Sequence, residues 1–126
     1  MRLHHIALVC RSEENAARFY EGILGLKKIK ASTVEEGLVE KIFGTPRKCQ
    51  IILYGNENFA VEVFLTDSTG ERNSPFAHHC LEVQDRESFL LKCRSAGLTV
   101  NLIPKGESEL LFVEDYDGNL FEVKGV

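Results

Sequence analysis

The 126-residue sequence predicts an α+β fold built from two copies of a βαβββ module, and three observations predict it. All four histidines fall in two adjacent pairs, His4–His5 and His78–His79, and each pair heads an apolar run. Each run leads to a helix cap, a helical apolar stripe and a stop glycine at nearly matched offsets. Each half then closes on three further strand-like runs.

Leu3–Cys10 is apolar enough for a largely buried strand. Ser12 follows as a helix N-cap, with Glu13 and Glu14 in the first turn, where the helix dipole favours acids. Ala16, Phe19, Tyr20, Ile23 and Leu24 recur at helical spacing, and Gly25 stops the helix. In the second half Cys80–Val83 completes a strand and Asp85 is the cap. Phe89, Leu90, Cys93 and Ala96 form the stripe, and Gly97 ends it. His5 precedes Ser12 by seven residues, as His78 precedes Asp85.

The closing runs of the first half are "LKKIKAS", "CQIILYG" and "FAVEVFLTD"; those of the second are "LTVNLIP", "ELLFVED" and "NLFEVKGV". The turns "GNEN" (Gly55–Asn58) and "DYDGN" (Asp115–Asn119) are rich in turn formers. The expected division is module 1 at residues 1–65, a polar linker at 66–75 and module 2 at 76–126. Neither half alone can bury both faces of its sheet, so the two are expected to pack as one domain. The expected architecture is a concave mixed sheet with the helices on its outer face.

The composition is that of a soluble globular chain. No apolar stretch approaches the roughly 20 residues of a membrane span, and the N-terminus has no signal-peptide pattern. A net charge of -4 with dispersed Lys and Arg argues against nucleic acid as a partner. Cys10, Cys49, Cys80 and Cys93 lie in apolar segments without a CxxC pair, which reads as buried thiols in a reducing cytoplasm.

Aligning the halves pairs His5 with His78. Side chains alternate along a strand, and Ile6, Leu8 and Cys10 must face the helix that follows. His5, Ala7 and Val9 therefore share the open face, as do His78, Cys80 and Glu82. His4 and His79 point the other way. The apolar stretches "FAVEVFL" and "NLFEV" that close the two halves carry one acid each, Glu62 and Glu122, and by the same alternation both stand on the open face with Ala60, Phe64, Leu120 and Lys124. A carboxylate within an apolar run is costly unless it is paired or binds a cation. Two histidines and two glutamates at matched positions of a repeat are expected to face one concavity.

"HHIAL…ARFYEGILGL" (His4–Leu26) and "LFVEDYDGNLFEV" (Leu111–Val123) resemble the vicinal oxygen chelate superfamily of glyoxalase I, methylmalonyl-CoA epimerase, fosfomycin-resistance proteins, extradiol dioxygenases and bleomycin-binding proteins. Tyr116 stands where the family's "DPDGN" ending has proline. The resemblance implies a divalent metal (Ni, Co, Zn, Fe or Mn) held by His5, Glu62, His78 and Glu122, a donor set that suits such ions. It implies a glyoxalase I-like lyase or isomerase acting on a small oxygen-chelating substrate through a metal-stabilised enediolate, with Glu122 as the catalytic base and Glu62 as the second candidate. The same scaffold also supports Fe(II)-dependent dioxygenases, transferases and metal-free drug- or metabolite-binding proteins. Where glyoxalase I-like proteins carry an arginine and an asparagine for glutathione, this chain has Val9 and Thr66, which argue against that cofactor. Short chains of the family usually pair, so a homodimer is expected, with the metal site within one chain or across two.

Overall fold

The computed structural model describes residues 1–67 and 74–126. The middle of the expected linker therefore lies outside the described residues. The chain divides into two compact units, Met1–Thr69 and Gly70–Val126. The first contains β1 (Ile6–Cys10), α1 (Glu13–Ala16, continuing as a π-helix over Ala17–Glu21), β2 (Lys27–Val34), α2 (Glu36–Phe43), β3 (Cys49–Gly55) and β4 (Ala60–Leu65). The second contains β5 (His79–Val83), α3 (Arg86–Ser95), β6 (Val100–Lys105), β7 (Ser108–Glu114) and β8 (Leu120–Gly125).

Each unit holds one four-stranded mixed sheet, ordered β1-β4-β3-β2 in the first and β5-β8-β7-β6 in the second. In both, the strand that opens the module runs parallel to the strand that closes it, and the remaining pairs are antiparallel. The duplication read from the sequence is thus a duplication of topology.

Local chemistry explains the boundaries. Ser12 Oγ accepts from the Asn15 amide at 3.1 Å, and Asp85 Oδ1 accepts from the Ser88 amide at 2.9 Å. Gly25 and Gly97, which follow the two helices, have φ of 69° and 73°, a conformation that costs any residue with a Cβ. In the first helix the ladder widens, with the Gly22 and Leu24 amides reaching back five residues to Ala17 and Phe19. The adjacent Phe19 and Tyr20 are both buried there, their rings edge to face at 5.0 Å, and Tyr20 stacks on Tyr54 at 5.8 Å. Burial pushes the Tyr54 hydroxyl up to about 12, with Glu21 and Glu13 adding to the effect.

Val61 and Val63 are fully buried in the first unit, as are Leu111 and Phe121 in the second, with Val123 nearly so. These are the positions that strand alternation assigns to the core. At about 25 cal/mol per Å² of apolar surface, such residues dominate the favourable side of folding.

Two findings differ from the sequence reading and a third adds to it. The helix α2 occupies a stretch for which no element was expected, and its Phe43 ring meets Phe64 on the open face of the sheet. Its signals are local: Leu38, Val39, Ile42 and Phe43 at helical spacing, then Gly44 in the left-handed conformation and Pro46 just beyond. Secondly, Cys80 is exposed while Cys10, Cys49 and Cys93 are buried. Cys80 shares a face with His78, away from the core. Thirdly, the outer strands β2 and β6 are protected. Lys27, Lys28 and Lys30 are exposed on β2, a register shift falls between Lys28 and Lys30, and β6 carries Pro104. Each of these devices discourages edge-to-edge pairing.

Candidate metal centre

His5 and His78 stand immediately before the first strand of their modules. In the parallel pairings Ala7 lies opposite Glu62 and Cys80 opposite Glu122. Each histidine is two residues upstream of the residue opposite the glutamate, and therefore on the glutamate's face of its sheet. The same register produces the same contact twice. His5 Nε2 lies 3.7 Å from Glu62 Oε2, and His78 Nε2 lies 3.7 Å from Glu122 Oε2. All four side chains are partly accessible, from 17% for Glu122 to 39% for His78.

Hydrogen bonding fixes how the second pair can be used. His78 Nδ1 lies 2.8 Å from the Phe76 carbonyl oxygen, which can only accept. The ring nitrogen must donate, so in the neutral imidazole Nε2 carries a lone pair. In that neutral form the lone pair stands 3.7 Å from a carboxylate oxygen, and two electron-pair donors oppose each other. Ligand atoms about 2 Å from one ion lie at most roughly 4 Å apart, so a pair separated by 3.7 Å can share a cation. The donor set of one imidazole and one carboxylate per module fits the divalent metals expected from the sequence.

In the first module His5 Nδ1 lies 2.9 Å from His4 Nδ1, and one of the two rings donates to the other. When His5 donates, the second module's arrangement is reproduced, with His4 in the role of the Phe76 carbonyl. His4 was expected to be uninvolved, and doublets hide this role because alternation sends neighbouring side chains to opposite faces. His4 lies two residues ahead of β1, and its ring bends back to the His5 ring instead of following the alternation that His5 keeps. His79 follows the expectation: its ring packs against Phe121 at 5.9 Å, and burial lowers its pKa, with His78 adding to the effect.

The modules differ around the glutamates. Lys124 Nζ lies 3.7 Å from Glu122 Oε1, whereas the matching position in the first module is Phe64. The Cys80 thiol is pushed up by burial first and by Glu122 second, which disfavours the thiolate a nucleophile needs.

Glu122 is placed by the turn before β8. Asp115 Oδ1 accepts from the amides of Asp117 and Asn119, each at 2.9 Å, and its Oδ2 accepts from Asn119 Nδ2 at 2.8 Å. The "DYDGN" segment is therefore a closed hydrogen-bonded turn around a buried aspartate, and it sets the register that delivers Glu122 to His78.

Residues 2–123 match the Glyoxalase/Bleomycin resistance protein/Dioxygenase superfamily. The chain belongs to that superfamily. No curated protein matches it in sequence. Among solved structures it is similar to a glyoxalase family protein from Bacillus cereus, with a TM-score of 0.75 and 18% identity over 99% of this chain and 93% of that one. It is also similar to the genomically encoded fosfomycin resistance protein FosX of Listeria monocytogenes, with a TM-score of 0.74 and 16% identity over 100% and 93% of the two chains. A FosX mutant complexed with Mn(II) and dihydroxypropylphosphonic acid aligns at a TM-score of 0.73 and 19% identity, over 98% and 90%. At these identities the likeness to solved structures is one of fold. Members of the superfamily bind divalent metal, as that complex does. No helix among the described residues is long and apolar enough to cross a membrane.

Proposed function

We propose that the protein is a divalent-metal-dependent lyase or isomerase in which His5, Glu62, His78 and Glu122 together hold one ion. The observation that carries the reading is the repeated contact, imidazole Nε2 to carboxylate Oε2 at 3.7 Å in both modules. A lone carboxylate among apolar strand residues is an ordinary accident; the same pair in the same register of two repeats is the pattern of a ligand set.

When bound, the ion supplies Lewis-acid stabilisation of negative charge developing on two neighbouring substrate oxygens, a contribution of several kcal/mol. The residues of the chain do the rest. The Phe76 carbonyl holds the His78 ring with Nε2 presented as a donor atom. The Asp115 turn holds β8 in register, so that Glu122 reaches the same point. Glu122 takes the proton beside the substrate carbonyl and returns it to the neighbouring carbon, a step worth on the order of 10²–10⁴ in rate. Lys124, on the other oxygen of that carboxylate, holds Glu122 in place. Glu62 lacks a lysine at the matching position and serves as the more passive ligand.

The chain is proposed to work as a homodimer on a small-molecule substrate. Val9 and Thr66 leave out the polar pair that would hold glutathione. The test is reconstitution with Ni, Co, Zn, Mn or Fe(II), followed by solvent-deuterium exchange into 2-oxo and 2-hydroxy compounds and by oxygen uptake. Deuterium exchange without oxygen uptake supports the isomerase reading, oxygen consumption with iron alone replaces it with a dioxygenase, and neither activity with any metal contradicts it.

A further inference from the structure

The first module carries α2 between β2 and β3, where the second passes from β6 to β7 through a tight turn at Gly106. The helix lies over the face of the sheet that bears Glu62. Its own Val39 is 2% exposed, and its Phe43 ring meets Phe64 edge to face at 5.5 Å. Between helix and sheet is a cavity of about 290 Å³, at the small end of the roughly 300–1,000 Å³ of small-molecule sites. Ala7, Val9 and Phe64 on the strands and Val39 and Phe43 on the helix give it an apolar wall.

The cavity has two distinct ends. One end is at Ala7, which stands opposite the proposed metal ligand Glu62 in the strand register. At the other end Arg47 donates to Thr66 Oγ1 at 2.6 Å, and both residues line the cavity. Residues 62 and 66 are four apart, roughly 13 Å along extended chain. The guanidinium carries five N–H donors in a fork suited to a carboxylate. Arg47 also borders a second, more polar cavity that it lines with Arg11 and Lys48, so the charged end opens onto a surface where cations outnumber the acids Glu13 and Asp67.

We infer that the first module binds a small amphiphilic anion, its acyl or aryl body held between α2 and the sheet and its carboxylate held at Arg47. For the substrate this means chelating oxygens at one end of an apolar group and an anionic group at the other, a statement that rests on the metal reading above. The cavity itself does not depend on that reading.

Calorimetric titration of chelator-treated protein with octanoate separates the two, because octanoate has the apolar body and the carboxylate but no neighbouring oxygens to chelate a metal. Octanoate is expected to bind, with affinity rising about fourfold per methylene from butyrate upward. Arg47→Gln, at an exposed position, is expected to lose about tenfold or more, Arg47→Lys to recover part of it, and Phe43→Ala to lose several-fold. Leu38→Ala, on the exposed side of α2, and Leu91→Ala, exposed on α3, should bind as the parent does. Absence of octanoate binding, equal binding by Arg47→Gln, or equal binding of octyltrimethylammonium would each overturn the inference while leaving the metal reading intact.

Discussion

His78 Nε2 faces Glu122 Oε2 at 3.7 Å, with the other nitrogen of the ring committed to the Phe76 carbonyl. The contact is too long for a hydrogen bond and leaves two donor atoms of the kind metals take directed at each other. Its duplicate in the first module turns a local oddity into a repeated design.

The two glutamates should be unequal. Glu122→Gln keeps an oxygen ligand but loses basicity, so metal is retained at reduced affinity while turnover falls roughly 10²-fold or more. Glu62→Gln should be milder. On the proposed four-ligand site both changes remove one carboxylate from one ion, so the comparison isolates the proton. A larger loss for Glu62→Gln, with metal retained in both variants, would transfer the base to the first module.

The histidine doublets should also be unequal. His4 bonds to the ring of a proposed ligand, and loss of such an outer partner typically weakens metal affinity about 10–100-fold. His4→Ala should show that loss in competition with a fluorescent chelator, and His79→Ala should not. Equal behaviour of the two variants would mean that the His4–His5 contact has no bearing on the metal.

Asp85 supplies a pH dependence remote from the site. Its amide and hydroxyl bonds to Ser88 lower its pKa below the ordinary 3.8. The folded state therefore favours the carboxylate, and the stabilisation is fully present above about pH 5. It fades as pH falls through 3.8 towards the lower folded value. Asp85→Asn, which retains a cap oxygen but cannot titrate, should show a flatter stability curve between pH 5 and 3 in urea unfolding. An unchanged slope would show that the cap does not contribute to acid lability.

Light scattering at micromolar concentration should report twice the chain mass of 14.2 kDa. A species of one chain mass only would contradict the proposed dimer. With β2 and β6 protected by lysines, a register shift and a proline, dimerisation through those edges is not expected.

Much of this was legible in the sequence because repeats are read by comparison. Ser12 against Asp85 and Gly25 against Gly97 give element boundaries that one module alone would leave uncertain, and period-two alternation assigns Val61, Val63, Phe121 and Val123 to the core. The pairing of His5 with Glu62 and of His78 with Glu122 follows from the same alternation. The helix α2 escaped because it has no counterpart in the second module, so the comparison that exposed the other elements was silent there. His4 escaped because its ring bends back to the His5 ring instead of following the alternation. Cys80 reads as a buried thiol from its apolar neighbours, although alternation already sets it beside His78 on the open face; its exposure and its place opposite Glu122 follow the alternation.

The central claim is that both modules hold a single ion, and metal stoichiometry tests it most directly. Purified protein reconstituted with cobalt or nickel and passed through a desalting column should carry one ion per chain by elemental analysis. His5→Ala and His78→Ala should each lose it almost entirely while keeping the parent's circular dichroism. Two ions per chain, with each variant retaining one, would mean that each His–Glu pair binds its own ion, and full retention in either variant would mean that the four residues are not the ligands.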